Sequence, residues 1–175
     1  RIIKVKLGRE PEEDTERIRR IREAIGDTLQ LRIDANQGWN QNQAQLALTE
    51  LSRYNIEFCE QPMRRYNDHL LSELNRTSPI PIMVDESVFD HHDAKRIIKS
   101  KGCSYVNIKF AKSGGIAEAL NINKVCSAHN IPCMIGGMLE SRIALTAFAH
   151  FAAATPNIKF YDMDENILVE VADNG

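Results

Sequence analysis

The sequence is short of the features that mark special classes of protein. In 175 residues no apolar run approaches the ~20 residues that a membrane helix needs, so no membrane partner is expected. The formal net charge is only −2, which gives no electrostatic reason to expect nucleic acid or an anionic surface as partner. There are four cysteines, Cys59, Cys103, Cys126 and Cys133, scattered without metal-type pairing. Buried reduced thiols in a cytoplasmic protein are expected, with disulfides as the alternative. Glycine and proline number nine and six and form no linker or low-complexity tract. The opening RIIKVKLG is too short and too charged in its apolar part to be a signal peptide.

What is present is a regular alternation. Short apolar runs (IIKVKL, LQLRID, IEFCE, PIMVDES, YVNIKF, PCMIG, IKFYDMD) are each separated by a longer segment of helical character. In the first helix Ile18, Ile21 and Ala24–Ile25 suggest an apolar stripe and Gly26 a stop. Further helices are expected over roughly 41–54 and 67–75, over DAKRIIKSKG with Asp93 as its cap, over SGGIAEALNINKVCSAHN and over ESRIALTAFAHFAAATP. This predicts seven strands and six helices in one domain spanning residues 1–175. Strict alternation implies parallel strands.

A doubly wound sheet and a barrel share that pattern. No G-x-G-x-x-G follows the first strand, which weakens a dinucleotide-binding reading. Charged residues recur at the C-terminal ends of successive strands: Lys4 and Lys6, Asp34, Glu60, Asp85, Lys109, Glu140, Asp162 and Asp164. A (β/α)8 TIM barrel gathers such positions at one face, where its active site lies. That fold typically takes ~250 residues. The expectation is therefore an incomplete barrel, a piece of a longer chain.

Asp34, Glu60 and Asp85 end three consecutive strands. Converging carboxylates repel one another, and a hard divalent cation relieves the repulsion. All-oxygen ligation points to Mg²⁺, with Mn²⁺ as a substitute. Helix caps or solvated loop charges are the plainer alternative. Lys6 precedes this set and Lys109 follows it, so a closed barrel would oppose them across its mouth. Two opposed lysines suit removal of a proton from one face of a carbon and its return to the other, with the cation holding the enolate oxygens. Lys4 would be the neighbouring charge that lowers the basicity of Lys6. An exposed edge strand would equally explain K-x-K, and Schiff-base chemistry is the rival use of a barrel lysine. Asp162 and Asp164 are two apart, so a strand sends both to one side.

KVK, DANQGW, EQP, DES, NIKFAKSGG and GGMLES, in this order and spacing, resemble the enolase superfamily, muconate-lactonizing-enzyme subgroup. The D-x-D of Asp162 and Asp164 resembles that of the dipeptide epimerases, typified by L-Ala-D/L-Glu epimerase. The resemblance implies Mg²⁺ on Asp34, Glu60 and Asp85, and proton exchange by Lys6 and Lys109 at the α-carbon of a dipeptide's second residue through an enediolate. It implies that Asp162 and Asp164 hold the dipeptide's α-ammonium and that Lys4 lies near its carboxylate. Gly136 and Gly137 would let backbone approach the substrate, or serve only a tight turn. The resemblance also implies an N-terminal capping domain, which this sequence lacks, and assembly into a homo-oligomer. o-Succinylbenzoate synthase, N-acylamino-acid racemase and muconate cycloisomerase share the lysine and metal set. A non-catalytic homologue is a further alternative.

Glu140 is read as facing the barrel mouth or as a helix cap. Asn36 is read as support for Asp34 or as a turn residue, Trp39 as packing, His91 and His92 as loop residues, and His150 as a helix histidine.

Overall fold

The computed structural model describes residues 2–163. The chain divides into two compact units: Arg1–Ser87 with Arg96–Tyr105, and Val88–Lys95 with Val106–Gly175.

In the first unit the strands β1 (Ile2–Lys6), β2 (Gln30–Asp34), β3 (Ile56–Glu60) and β4 (Ile82–Val84) pair in parallel and in chain order. The helices α1 (Pro11–Ile25), α2 (Gln41–Leu51) and α3 (Leu71–Thr77) separate or follow them. After β4 comes α4 (His91–Lys99). The second unit pairs β5 (Tyr105–Ile108), β6 (Cys133–Gly136) and β7 (Ile158–Asp162) in the same parallel, sequential manner. Its helices are α5 (Phe110–Ser113), α6 (Ile116–Ala128) and α7 (Arg142–Ala154). In neither unit does strand order reverse, as it does in a doubly wound sheet. The fold is α/β, that of an incomplete (β/α)8 barrel with seven strands among the described residues. The one-turn helix α5 is an element beyond the six helices expected.

Local chemistry accounts for the element ends. The α2 helix opens with a capping box, in which Asn40 accepts the Gln43 amide at 3.0 Å and Gln43 accepts that of Asn40 at 3.1 Å. Gly26 closes α1 at φ 64°, as expected. The cap of α4 is Asp90, which accepts the Asp93 amide at 2.8 Å; Asp93 lies inside the first turn and accepts the Phe89 amide instead. His91 likewise is helical and half-buried, with its amide and ring nitrogen both on Glu118.

The buried face of α1 differs from the predicted stripe. It runs Pro11, Asp14, Ile18, Arg22, whereas Ala24 is exposed. Two charged residues lie inward because polar partners meet them there, although the second oxygen of Asp14, Oδ1, is buried without a hydrogen-bond partner. Arg22 donates to the carbonyls of Tyr54, Gly26, Leu29 and Asn55. One carboxylate oxygen of Asp14 accepts the amides of Gly8 (2.9 Å) and Arg9 (2.8 Å) and the Trp39 indole (3.1 Å). Trp39 is thus packed, as expected, and also tied to α1. This core also includes Leu31, Ile33, Leu48, Leu51, Phe58, Leu74 and Ile82, all buried. β2 is buried along nearly its whole length, as parallel strands covered on both faces are. All four cysteines are reduced and buried.

Candidate functional site

Parallel register places the first group of candidates. Lys6 pairs with Asp34, and Asp34 with Glu60. All three are the last residues of their strands, so they form one row across β1, β2 and β3. Asp85 follows Val84, the last residue of β4. Asp34, Glu60 and Asp85 are all buried. Burial raises the Glu60 carboxyl from 4.5 to about 7; the charges of Asp34 and Asp85 push it up as well, and Lys4 opposes them. Asp85 therefore lies close enough for its charge to act on Glu60.

The two lysines of β1 differ in depth. Lys4 is the deeper one, its side chain 18% exposed, with its ammonium 2.7 Å from Glu60 and 3.2 Å from Asp34. Lys6 is 65% exposed and reaches Asp34 at 2.6 Å. Both ammoniums thus converge on Asp34, and Lys4 is a counter-ion to two carboxylates as well as a neighbour of Lys6. Strand alternation carries both lysines to one face, where Asp34 meets both ammoniums and Glu60 meets that of Lys4.

Among the described residues no three His, Cys, Asp or Glu side chains stand in a geometry that would hold a metal ion. The ammonium of Lys4, shared between Asp34 and Glu60, already supplies a positive charge there. The chemistry of the donor set nonetheless fits a hard divalent cation. Three buried carboxylates carry three negative charges against two from the lysines, and burial of this excess is what resists ionisation of Glu60.

In the second unit Lys109 follows β5 and is buried. Its carbonyl accepts the amides of Lys112 and Ser113, both at 3.0 Å, which starts α5 directly behind it. The Lys112 ammonium donates to the carbonyls of Val88 and Asn107, both at 3.1 Å, and so braces the same turn. Gly136 is needed for close approach: a Cβ there would lie 2.7 Å from the Asn107 side-chain oxygen. The Gly137 amide donates to the Asp162 carbonyl at 3.2 Å, extending the β6–β7 ladder. Asp162 is the half-buried last residue of β7, paired with Gly136. Asp164 lies outside the described residues. Glu140 is not the cap of α7; that is Ser141, which accepts the Ala144 amide, while Glu140 accepts the Met138 amide. His150 is exposed on α7.

The Asn36 backbone amide, not its side chain, supports Asp34, at 2.9 Å. Gln61 is completely buried and accepts the Asp85 amide at 2.8 Å. Its only signal was its place beside Glu60 in EQP.

The model of the family described as Enolase C-terminal domain-like matches residues 1–174. A D-Ala-D/L-Ala epimerase of Cytophaga hutchinsonii is 46% identical over 97% of this chain and 46% of its own length. A hydrophobic dipeptide epimerase of Enterococcus faecalis is 43% identical over 97% of this chain and 48% of its own. The crystal structure of a dipeptide epimerase from Cytophaga hutchinsonii complexed with Mg and the dipeptide D-Ala-L-Val superposes with a TM-score of 0.95 at 46% identity, covering 97% of this chain and 46% of that one. The chain thus spans about half the length of the curated relatives it matches.

Proposed function

The chain belongs to the enolase C-terminal domain-like family, and from that premise we propose that it is the barrel part of an isomerase, a magnesium-dependent dipeptide epimerase. The observation that carries this reading is the row of Lys6, Asp34 and Glu60 on consecutive strand ends, with Asp85 next in line. Relatives named as dipeptide epimerases at 42–46% identity support the substrate class.

Asp34, Glu60 and Asp85 would hold the metal, Mg²⁺ or Mn²⁺. Bound there, the cation supplies fixed positive charge that favours negative charge developing on the substrate carboxylate. Lys6 and Lys109 are the two bases. One, neutral, removes the α-proton of the second residue; the other, protonated, returns a proton to the opposite face. Inversion then needs no reorientation of the substrate. Lys4, already paired to carboxylates, would also balance that of the substrate. Asp162 and Asp164 would hold the dipeptide's α-ammonium through charge-assisted hydrogen bonds, and Gly137 would let backbone approach the substrate. The four buried reduced thiols support a cytoplasmic location. No helix among the described residues is long and apolar enough to cross a membrane. We assign a homo-oligomeric state on the family resemblance.

The test uses the natural protein that contains this sequence. L-Ala-L-Glu and a panel of small dipeptides are incubated with Mg²⁺ and analysed for diastereomers. Mg²⁺-dependent appearance of the epimer at the second residue is expected. No epimer from any dipeptide, with N-acylamino acids racemised instead, would overturn the dipeptide reading.

A further inference from the structure

We propose that Gln61, held by a hydrogen-bonded chain through Ser87 and Asp68 to Arg96, is a positioning residue that sets Asp85 for the divalent cation. This rests on the metal role proposed above for Glu60 and Asp85.

β4 ends at Val84, so the sheet ladder does not carry the backbone of Asp85. The side chain of Gln61 takes over. Its Oε1 accepts the Asp85 amide at 2.8 Å and the Ser87 amide at 3.2 Å. Its Nε2 donates to the Met63 carbonyl at 2.8 Å and the Ser87 hydroxyl at 2.7 Å. A primary amide has two donors and two acceptor sites, and all four are used. The residue is completely buried and sits at φ 34°, with its own amide on the Met83 carbonyl at 2.8 Å.

The chain also fixes which way the amide points. Asp68 meets Arg96 at 2.8 Å and, as a carboxylate, can only accept. The Ser87 hydroxyl must therefore donate to Asp68, at 2.5 Å. That leaves Ser87 to accept from Gln61, which turns Nε2 toward Ser87 and Oε1 toward the two amides. Gln61 follows Glu60 directly and grips the backbone of Asp85. One side chain thus couples two of the proposed metal-binding residues on neighbouring strands. Glutamate, with the same shape, has no N–H to give Met63 or Ser87 and would face two acceptors.

The experiment measures Mn²⁺ binding by the electron paramagnetic resonance signal of the free ion, in the natural protein and in its Gln61→Glu and Ser87→Ala variants. Outer-shell partners of metal ligands are typically worth 10–100-fold in affinity. Gln61→Glu is expected to weaken Mn²⁺ binding by about that factor, and Ser87→Ala by about tenfold, the lower end of that range. At saturating Mn²⁺ both variants should recover epimerase activity with an unchanged KM for dipeptide, a rescue that a merely structural defect would not show. Folded variants that bind Mn²⁺ within about twofold of the parent would overturn the proposal. If Gln61→Glu does not fold, Ser87→Ala decides alone. A parent protein that binds no Mn²⁺ would overturn the metal reading itself, and the inference with it.

Discussion

Lys4 and Glu60 form an ion pair of 2.7 Å that reaches from β1 across β2 to β3. The same ammonium is 3.2 Å from Asp34, so it neutralises the place where two buried carboxylates converge. Lys4 and a metal ion would therefore compete for the same oxygens. Lys4→Met is expected to destabilise the metal-free protein by about 3 kcal/mol, since it leaves buried charge uncompensated. It should also increase the stabilisation that Mg²⁺ provides. Urea unfolding with and without Mg²⁺ checks both parts. A variant as stable as the parent without metal would contradict this account of Lys4.

The pH dependence follows from Glu60. Burial, with the charges of Asp34 and Asp85, raises its carboxyl from 4.5 to about 7 against the pull of Lys4. The folded protein thus holds this proton more tightly than the unfolded chain does. Its stabilising contribution is complete below pH ~4.5 and is lost as pH rises to ~7. Over that window a cation must displace the proton, so Mg²⁺ affinity should climb with pH and level off above ~7. Titration calorimetry at about pH 5.5 and pH 8 measures this, and a flat profile would contradict it.

Gly8 and Gly38 hold the loops after β1 and β2 in contact. Gly8 sits at φ 95°, and a Cβ there would lie 2.0 Å from the Ala35 carbonyl oxygen. Gly8→Ala combines this clash with a left-handed backbone, and a loss of about 3 kcal/mol is expected. Thermal unfolding would show a lower Tm, together with reduced activity because the loop begins directly after Lys6. An unchanged Tm would mean that the two loops separate at little cost.

The strand ends were legible because a charged residue closing an apolar run is uncommon, and six such runs recur at βα spacing. Asp34, Glu60, Asp85 and Lys109 needed no more than that. Pairing was not legible. Lys4 reads as the neighbour of Lys6 on one strand face, and its pairing with two carboxylates shows only once β2 and β3 set them beside it. The apolar stripe leaves out Asp14 and Arg22 because periodicity weighs polarity and knows nothing of the carbonyls and amides that other loops present to them. Asp93 reads as the cap, and only the observed start of α4 at His91 moves that role to Asp90. Gln61 is invisible to pattern: its neighbours in space are Met63, Asp85 and Ser87, and no period links them.

The two-lysine account is tested most directly by α-proton exchange in D₂O. Dipeptides of either configuration at the second residue are incubated with Mg²⁺ and the parent protein, Lys6→Ala or Lys109→Ala, and the α-proton is followed by NMR. The account predicts that both variants lose epimerisation, while each still exchanges the α-proton of one epimer, and opposite ones. Epimerisation surviving in either variant would contradict it.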